Sequence, residues 1–102
     1  QQQRAMVGGT MAAARLARRE RGLVVNLGGG LHHAHAHKGA GFCLFNDVAV
    51  AIAGLRASGS DERFLVVDLD LHDGDGVRSI FADDPKVHTF SLHNAHWGPV
   101  HA

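Results

Sequence analysis

Apolar residues in this chain come in short blocks separated by polar, glycine-rich stretches. Residues 23–27 (LVVNL), 64–69 (FLVVDL) and 87–92 (VHTFSL) are β-branched or aromatic runs, too short for stable helices, and read as buried strands. Helical segments alternate with them. Residues 10–21 have Thr10 as N-cap, are rich in helix formers and stop at Gly22. Arginines near the end of that segment suit the helix dipole. Residues 46–57 are apolar almost all round, as in a helix packed on a sheet, with Asn46 or Asp47 as cap. Residues 76–82 form a short helix that Asp84-Pro85 stops. Gln1-Gln2-Gln3 reads as a disordered start or a scar of truncation, and no repeat, linker or domain boundary divides the chain.

Strands joined by helical crossovers imply an α/β fold, a parallel sheet with helices on its faces. Ligands in such sheets bind beyond the carboxyl ends of the strands. Three polar loops, 28–41, 68–76 and 91–98, fall at those ends. In the loop after the central strand, Asp68, Asp70 and His72 leave the strand on one side. A flat strand would space them roughly 6–7 Å apart, so Asp70 and His72 meet at one ion only if the chain curls. Gly74 and Gly76 are the residues expected to let it.

Composition narrows the functional classes. Ten Lys and Arg balance ten Asp and Glu, which leaves no basic field for nucleic acid. No apolar run approaches the roughly 18 residues of a membrane span. A single cysteine, Cys43, excludes an internal disulfide and suits a reducing cytoplasm. Richness in Ala, Gly and Arg suggests a bacterial source, and nothing specifies an oligomeric state. The chain starts without Met and stops just after a strand-like run, as a piece of a longer protein would. Nine histidines are an excess, most of them in two clusters, 32–37 and 88–101.

Asp70 and His72 offer a carboxylate and an imidazole, a donor mix suited to Zn²⁺ or another first-row divalent ion. A calcium loop of EF-hand type fails, because Leu69 and Leu71 fall where oxygen ligands are needed. The triplet Gly28-Gly29-Gly30 lacks the spacing of a phosphate loop. His32-His33 supplies proton-transfer groups, and Asp68 and Asp75 are carboxylates able to orient them. His35 and His37 read as members of a solvated loop.

Three consecutive blocks carry a family resemblance: GGGLHHAHAHKGAGFCLFNDVAVAI, VVDLDLHDGDGVRSIF and VHTFSLH. Together they resemble the zinc-dependent histone deacetylase family, which includes bacterial acetylpolyamine amidohydrolases and acetoin-utilisation proteins, and the short loops look like its bacterial and class IV-like members. The resemblance runs from about Gly8 to Leu92. It implies an arginase-like three-layer α/β/α fold and hydrolysis of an N-acetyl amide on an acetylated lysine peptide or an acetylpolyamine. Matched by motif, Asp70 and His72 would be zinc ligands, and His33, oriented by Asp75, the general base. His32 would be its electrostatic partner, paired with Asp68, while Gly41 and Phe42 would line an acyl-lysine tunnel. A structural K⁺ or Na⁺ would be held by Asp68, Asp70, His72, Ser91 and Leu92, several through backbone carbonyls, and a second by Phe81, Asp84 and Val87. Cys43 and Asn46 match positions of structural role. A rim loop around 94–99, with Trp97, would help select substrate.

The chain departs from the family pattern in places. Asp73 stands where the family often has His or Gln, which makes the cation loop more acidic. The family's third zinc ligand, an Asp, and its transition-state Tyr have no match here, and the chain contains no Tyr. The 102 residues alone are therefore expected to be inactive. Two alternatives remain: a deacetylase-like binding module without catalysis, against which intact His32, His33, Asp70 and His72 argue, and an arginase- or agmatinase-type hydrolase, which would carry two manganese ions instead of one zinc.

Overall fold

The computed structural model describes residues 1–95. Its elements are α1 (Gln2–Glu20), α2 (Asp47–Ala57), β1 (Phe64–Asp68), α3 (Asp75–Ile80) and β2 (Val87–Ser91). β1 and β2 pair in parallel, in register from Phe64 opposite Val87 to Asp68 opposite Ser91. A parallel pair needs a crossover, and α3 lies within it. The architecture is thus a small α/β unit with a two-stranded parallel sheet.

One sheet face is covered. Ile52 of α2, Val77 of α3, Phe81 and Val87 are buried together, with Val48, Ala49, Phe64, Val66 and Ile80 packed around them. Alternation along the strands sends Leu65, Val67 and Phe90 to the opposite face, where each is half exposed or more. The turn before β2 is tied back to α2 by the Arg56 guanidinium, whose Nη1 and Nη2 donate to the Asp84 carboxylate at 2.5 and 3.1 Å. A second cluster joins Leu31, Ala34 and Cys43 to Met6 and Val7 of α1.

Three expectations need correction. First, α1 begins at Gln2, well before Thr10, and residues 2 and 3 are helical. Gly8 and Gly9 disfavour a helix by about 1 kcal/mol each, but tertiary contacts outweigh them. Met6 and Val7 bury against the 31–43 loop, and the Gln3 side chain donates to the Phe42 carbonyl and accepts from the Leu44 N–H, both at 2.7 Å. Thr10 caps nothing. Its hydroxyl donates to Asp47 at 2.6 Å and accepts from Asn26 at 2.7 Å. Second, Arg21 rather than Gly22 takes the left-handed conformation that ends the helix, with φ 53°.

Third, residues 23–27 form no strand. Alternation survives, with Val24 and Asn26 half buried and Leu23, Val25 and Leu27 exposed, but no neighbouring strand pairs with the segment among the described residues. Asn26 instead folds back on α1, donating to the Met6 carbonyl at 3.2 Å. The remaining boundaries differ by one or two residues. Trp97 and the rest of the rim loop from position 96 lie outside the described residues.

The start of α2 places the histidine loop. Asn46 caps the helix, accepting from the Ala49 N–H at 3.1 Å, and its Nδ2 donates to the Ala34 carbonyl at 3.1 Å. Asp47, 1% exposed, accepts from the backbone N–H groups of Gly30 and Leu31 at 3.0 and 2.7 Å and from the Thr10 hydroxyl. A buried carboxylate is tolerated when its oxygens are this fully engaged. Replacing Asp47 with Ala strands these three donors at once. We expect the unfolding free energy to fall by about 3 kcal/mol, seen as a lower urea midpoint at unchanged slope.

Candidate active site

The carboxyl end of β1 continues into a curl made by its own side chains. The Asp68 carboxylate accepts from the Asp70 N–H at 3.0 Å, and the Asp70 carboxylate accepts from the His72 N–H at 2.8 Å. Each is a side chain bonding the backbone two residues on, the geometry of an Asx turn. Two in succession fold the D-x-D-x-H segment back on itself. Gly74 is not the source of the bend. Its φ of −76° is open to any residue, and what demands glycine at 74 and 76 is proximity. A Cβ at Gly74 would overlap the Asp68 carboxylate, and one at Gly76 the carbonyls of residues 32 and 34.

Curling brings the two candidate metal donors together. Asp70 Oδ1 and His72 Nδ1 face each other at 2.9 Å. Zinc with bonds of about 2.0–2.1 Å sets its tetrahedral donors about 3.3 Å apart, so this pair fits one ion with a small outward shift. No third His, Cys, Asp or Glu joins them in a metal-ligating cluster among the described residues. The His72 N–H, followed by its side chain, holds the Asp70 carboxyl below the usual carboxylate range despite some burial.

The histidine loop docks on α3. The His32 carbonyl accepts from the Gly76 and Val77 N–H groups at 3.0 and 3.3 Å, two of the donors that a helix N-terminus leaves unpaired. His32 and His33 occupy a turn, with ring centroids 4.2 Å apart. His32 Nδ1 pairs with Asp68 Oδ2 at 2.5 Å and His33 Nδ1 with Asp75 Oδ1 at 2.8 Å. In the neutral tautomer these bonds assign, Nδ1 carries the proton in both rings and Nε2 is the free acceptor. His32 Nε2 lies 3.6 Å from Asp70 Oδ1, and the His33 ring meets His72 edge-on at 5.9 Å. Two imidazole–carboxylate dyads therefore border the Asp70–His72 pair.

Sequence reading missed one member. His35 is no solvated-loop residue. Its Nε2 lies 3.3 Å from Asp75 Oδ2 and its Nδ1 2.7 Å from the Ser79 hydroxyl. Asp75 and Ser79, four apart on one helix face, were the available signal. His37 is exposed. Burial pushes the Asp75 carboxyl up, but the bonds to His33 and His35 outweigh it and leave the group below its ordinary value.

Asp73 is likewise no loose acid. It is 4% exposed, and the Arg78 guanidinium donates to both its oxygens, at 2.5 and 2.6 Å. That contact holds its carboxyl below the usual range and engages both of its oxygens. Ser91 Oγ bonds His93 Nδ1 at 2.8 Å, and the Leu92 N–H donates to the Asp68 carbonyl at 3.0 Å. Phe81 ends α3, Val87 opens β2, and Asp84 lies in the turn between them, its carboxylate held by Arg56.

Gly41 and Phe42 are both left-handed, with φ of 49° and 65°. Gly41 lies against the His33 ring, and the Phe42 side chain is 99% exposed. A non-glycine residue in this region is uncommon and costs of order 1 kcal/mol or more.

Comparison with known proteins decides the family. Residues 1–100 match the model of the histone deacetylase domain. The chain belongs to the histone deacetylase family. An uncharacterized protein of Picosynechococcus is 52% identical over 87 residues, 85% of this chain and 29% of its own length. The acetoin utilization protein AcuC of Bacillus subtilis is 46% identical over 86% of this chain, and histone deacetylase 2 of Arabidopsis thaliana 44% over 89%, each across 23% of its own length. This deacetylase-family chain thus spans about a quarter of the length of the curated relatives it matches.

A methyl group at position 41 would strike the His33 ring and force an unfavourable φ. Gly41→Ala should lower stability by about 1–2 kcal/mol and shift the His33 imidazole resonances in NMR spectra. Asp70, Asp73 and Asp75 all titrate lower folded than unfolded. Their stabilisation is fully present above the unfolded value of about 3.9 and is lost as pH falls through their depressed folded values. Thermal unfolding with chelator present should therefore show Tm dropping steeply below about pH 4, with part of that slope removed in Asp73→Asn.

Proposed function

We propose that the protein carrying this segment is a zinc-dependent deacetylase that hydrolyses N-acetyl amides. The observation that carries the reading is the convergence of two imidazole–carboxylate dyads on the Asp70–His72 donor pair. His33 Nε2 takes a proton from the attacking water. Asp75 fixes the His33 tautomer and stabilises the imidazolium that forms. His32, backed by Asp68, offers the second imidazole to the developing charge. When bound at Asp70 and His72, zinc would supply Lewis acidity toward the amide carbonyl and the water.

In this reading Gly41 and Phe42 border the path of the acylated chain, and the exposed Phe42 ring offers an apolar wall to an aliphatic stem. The substrate class is an acetylated lysine peptide or an acetylpolyamine, which the naming of the plant relative as a histone deacetylase supports on the lysine side. A structural monovalent cation, K⁺ or Na⁺, would sit at Asp68, Asp70, His72, Ser91 and Leu92, and a second at Phe81, Asp84 and Val87. The arginase-like three-layer fold would place a further helical layer over Leu65, Val67 and Phe90. Among the described residues no helix is long and apolar enough to cross a membrane. The buried, unpaired Cys43 suits a reducing compartment, and the cytoplasm is the proposed location.

The 102 residues hold two zinc donors and no tyrosine, so we infer that they do not turn over alone. Zinc-dependent acetate release by the isolated segment would overturn that inference. For the whole protein loaded with zinc, we expect acetate release from acetyl-lysine peptide or acetylspermidine. His33→Ala should lower kcat by about 10²–10⁴-fold, and Asp70→Ala should lower the bound metal below one equivalent. No acetate from either substrate class would sink the reading, and two manganese ions per chain would replace it with a binuclear hydrolase.

A further inference from the structure

The pair Asp73–Arg78 stands outside the catalytic reading, yet it joins two parts of it. Asp73 directly follows His72 and precedes Asp75 by two. Arg78 lies on α3, one turn beyond Asp75. The two side chains close a clip across residues 73–78, so the residue beside a metal donor is bonded to the helix that carries the partner of His33. Both bonds are short and the contact is fork to fork, Nη1 to Oδ1 and Nη2 to Oδ2. Such geometry fixes orientation as well as distance, which a lysine ammonium cannot do.

A second set of contacts secures the clip to the sheet. His93 Nδ1 lies 3.6 Å from Asp73 Oδ1 and 2.8 Å from the Ser91 hydroxyl. That hydroxyl accepts from the Gly74 N–H at 3.5 Å. The 72–75 segment is therefore held from α3 on one side and from the end of β2 on the other. The burial of Asp73 makes the clip costly to break, because a buried carboxylate deprived of its guanidinium is strongly destabilising.

We propose that Asp73 and Arg78 are positioning residues, which set the placement of His72 relative to the Asp75–His33 dyad through a bidentate clip. The proposal rests on the roles given above to His33 and His72. Neither Asp73 nor Arg78 touches substrate in it. Their effect passes through the loop, and displacement of reacting groups by about 1 Å is enough to cost on the order of 10²-fold in rate.

Arg78→Met, Arg78→Lys and the double variant Asp73→Asn/Arg78→Met separate positioning from bulk stability. The single Met variant leaves a buried carboxylate unmatched and should lose both Tm and kcat. Removing both charges should restore most of the Tm. If the clip positions, kcat of the folded, zinc-loaded double variant stays about 10- to 100-fold down with KM within about twofold, and Arg78→Lys behaves likewise. If kcat recovers together with Tm, the pair only stabilises and the proposal is overturned. Arg18→Met, which breaks a surface pair with Glu62, serves as the control and should leave kcat unchanged.

A readout free of turnover keeps this distinct from the deacetylase reading. In the unsubstituted protein and the double variant, the imidazole resonances of His33 and His72 are compared. Displaced resonances support the clip even if the unsubstituted protein releases no acetate, in which case only the deacetylase reading fails. Unmoved resonances overturn the clip whatever the activity.

Discussion

Burying the Asp47 carboxylate is the constraint on which the arrangement rests. Once Asp47 leaves water at the first turn of α2, its oxygens must be matched by donors from within the chain. The donors it takes are the Gly30 and Leu31 amides and the Thr10 hydroxyl. They belong to the histidine loop and to α1. One acidic side chain thereby fixes a loop between two helices, a placement that hydrophobic contact, which has no direction, could not specify. Asn46 adds the carbonyl of Ala34 to the same anchor. His32 and His33 lie between these attachment points, so their rings are aimed by backbone that is itself tied down.

Opposite that anchor, aspartates do two jobs in one loop. Asp68 and Asp70 bond the backbone two residues on, which makes the bend, and also face imidazoles, Asp68 toward His32 and Asp70 toward His72. Bend and chemistry therefore arise from the same atoms. An amide at Asp70 could keep the turn yet lose the charge, and an apolar residue would lose both. The four carboxylates in the eight residues from Asp68 to Asp75 are met by imidazole hydrogen bonds at three of them and by the Arg78 guanidinium at Asp73.

Much of this was legible in the sequence, for identifiable reasons. β1, β2, α2 and α3 are readable because short β-branched runs, the cap at Asn46-Asp47 and the stop at Asp84-Pro85 are local signals, although the strands, expected to be buried, each leave one face exposed. The pairings of His32 with Asp68 and His33 with Asp75 came from motif likeness, since partners about forty residues apart leave no mark in local periodicity. Errors arose where tertiary contacts overrode propensity. Gly8-Gly9 looked like a helix boundary and is helix interior, because Met6 and Val7 gain burial by continuing it. Residues 23–27 look like a strand, but a strand exists only beside a partner, and none of the described residues provides one there. His35 reads from the sequence as part of a solvated loop, whereas its partners, Asp75 and Ser79, lie on another element. From the sequence Asp73 only makes the loop more acidic; in the fold Arg78, five residues on, pairs with both of its oxygens.

α3 is only six residues long, less than two turns, and a helix that short is marginal in water. Its leading amides end on the His32 carbonyl instead of on solvent. The helix therefore draws part of its stability from the loop it caps, alongside the burial of Val77 against Ile52, Phe81 and Val87. Two bonds to one carbonyl couple the loop to the helix: displacing the His32 carbonyl would leave the first amides of α3 unpaired beside Asp75, so the ring and the carboxylate that orients it share a single support.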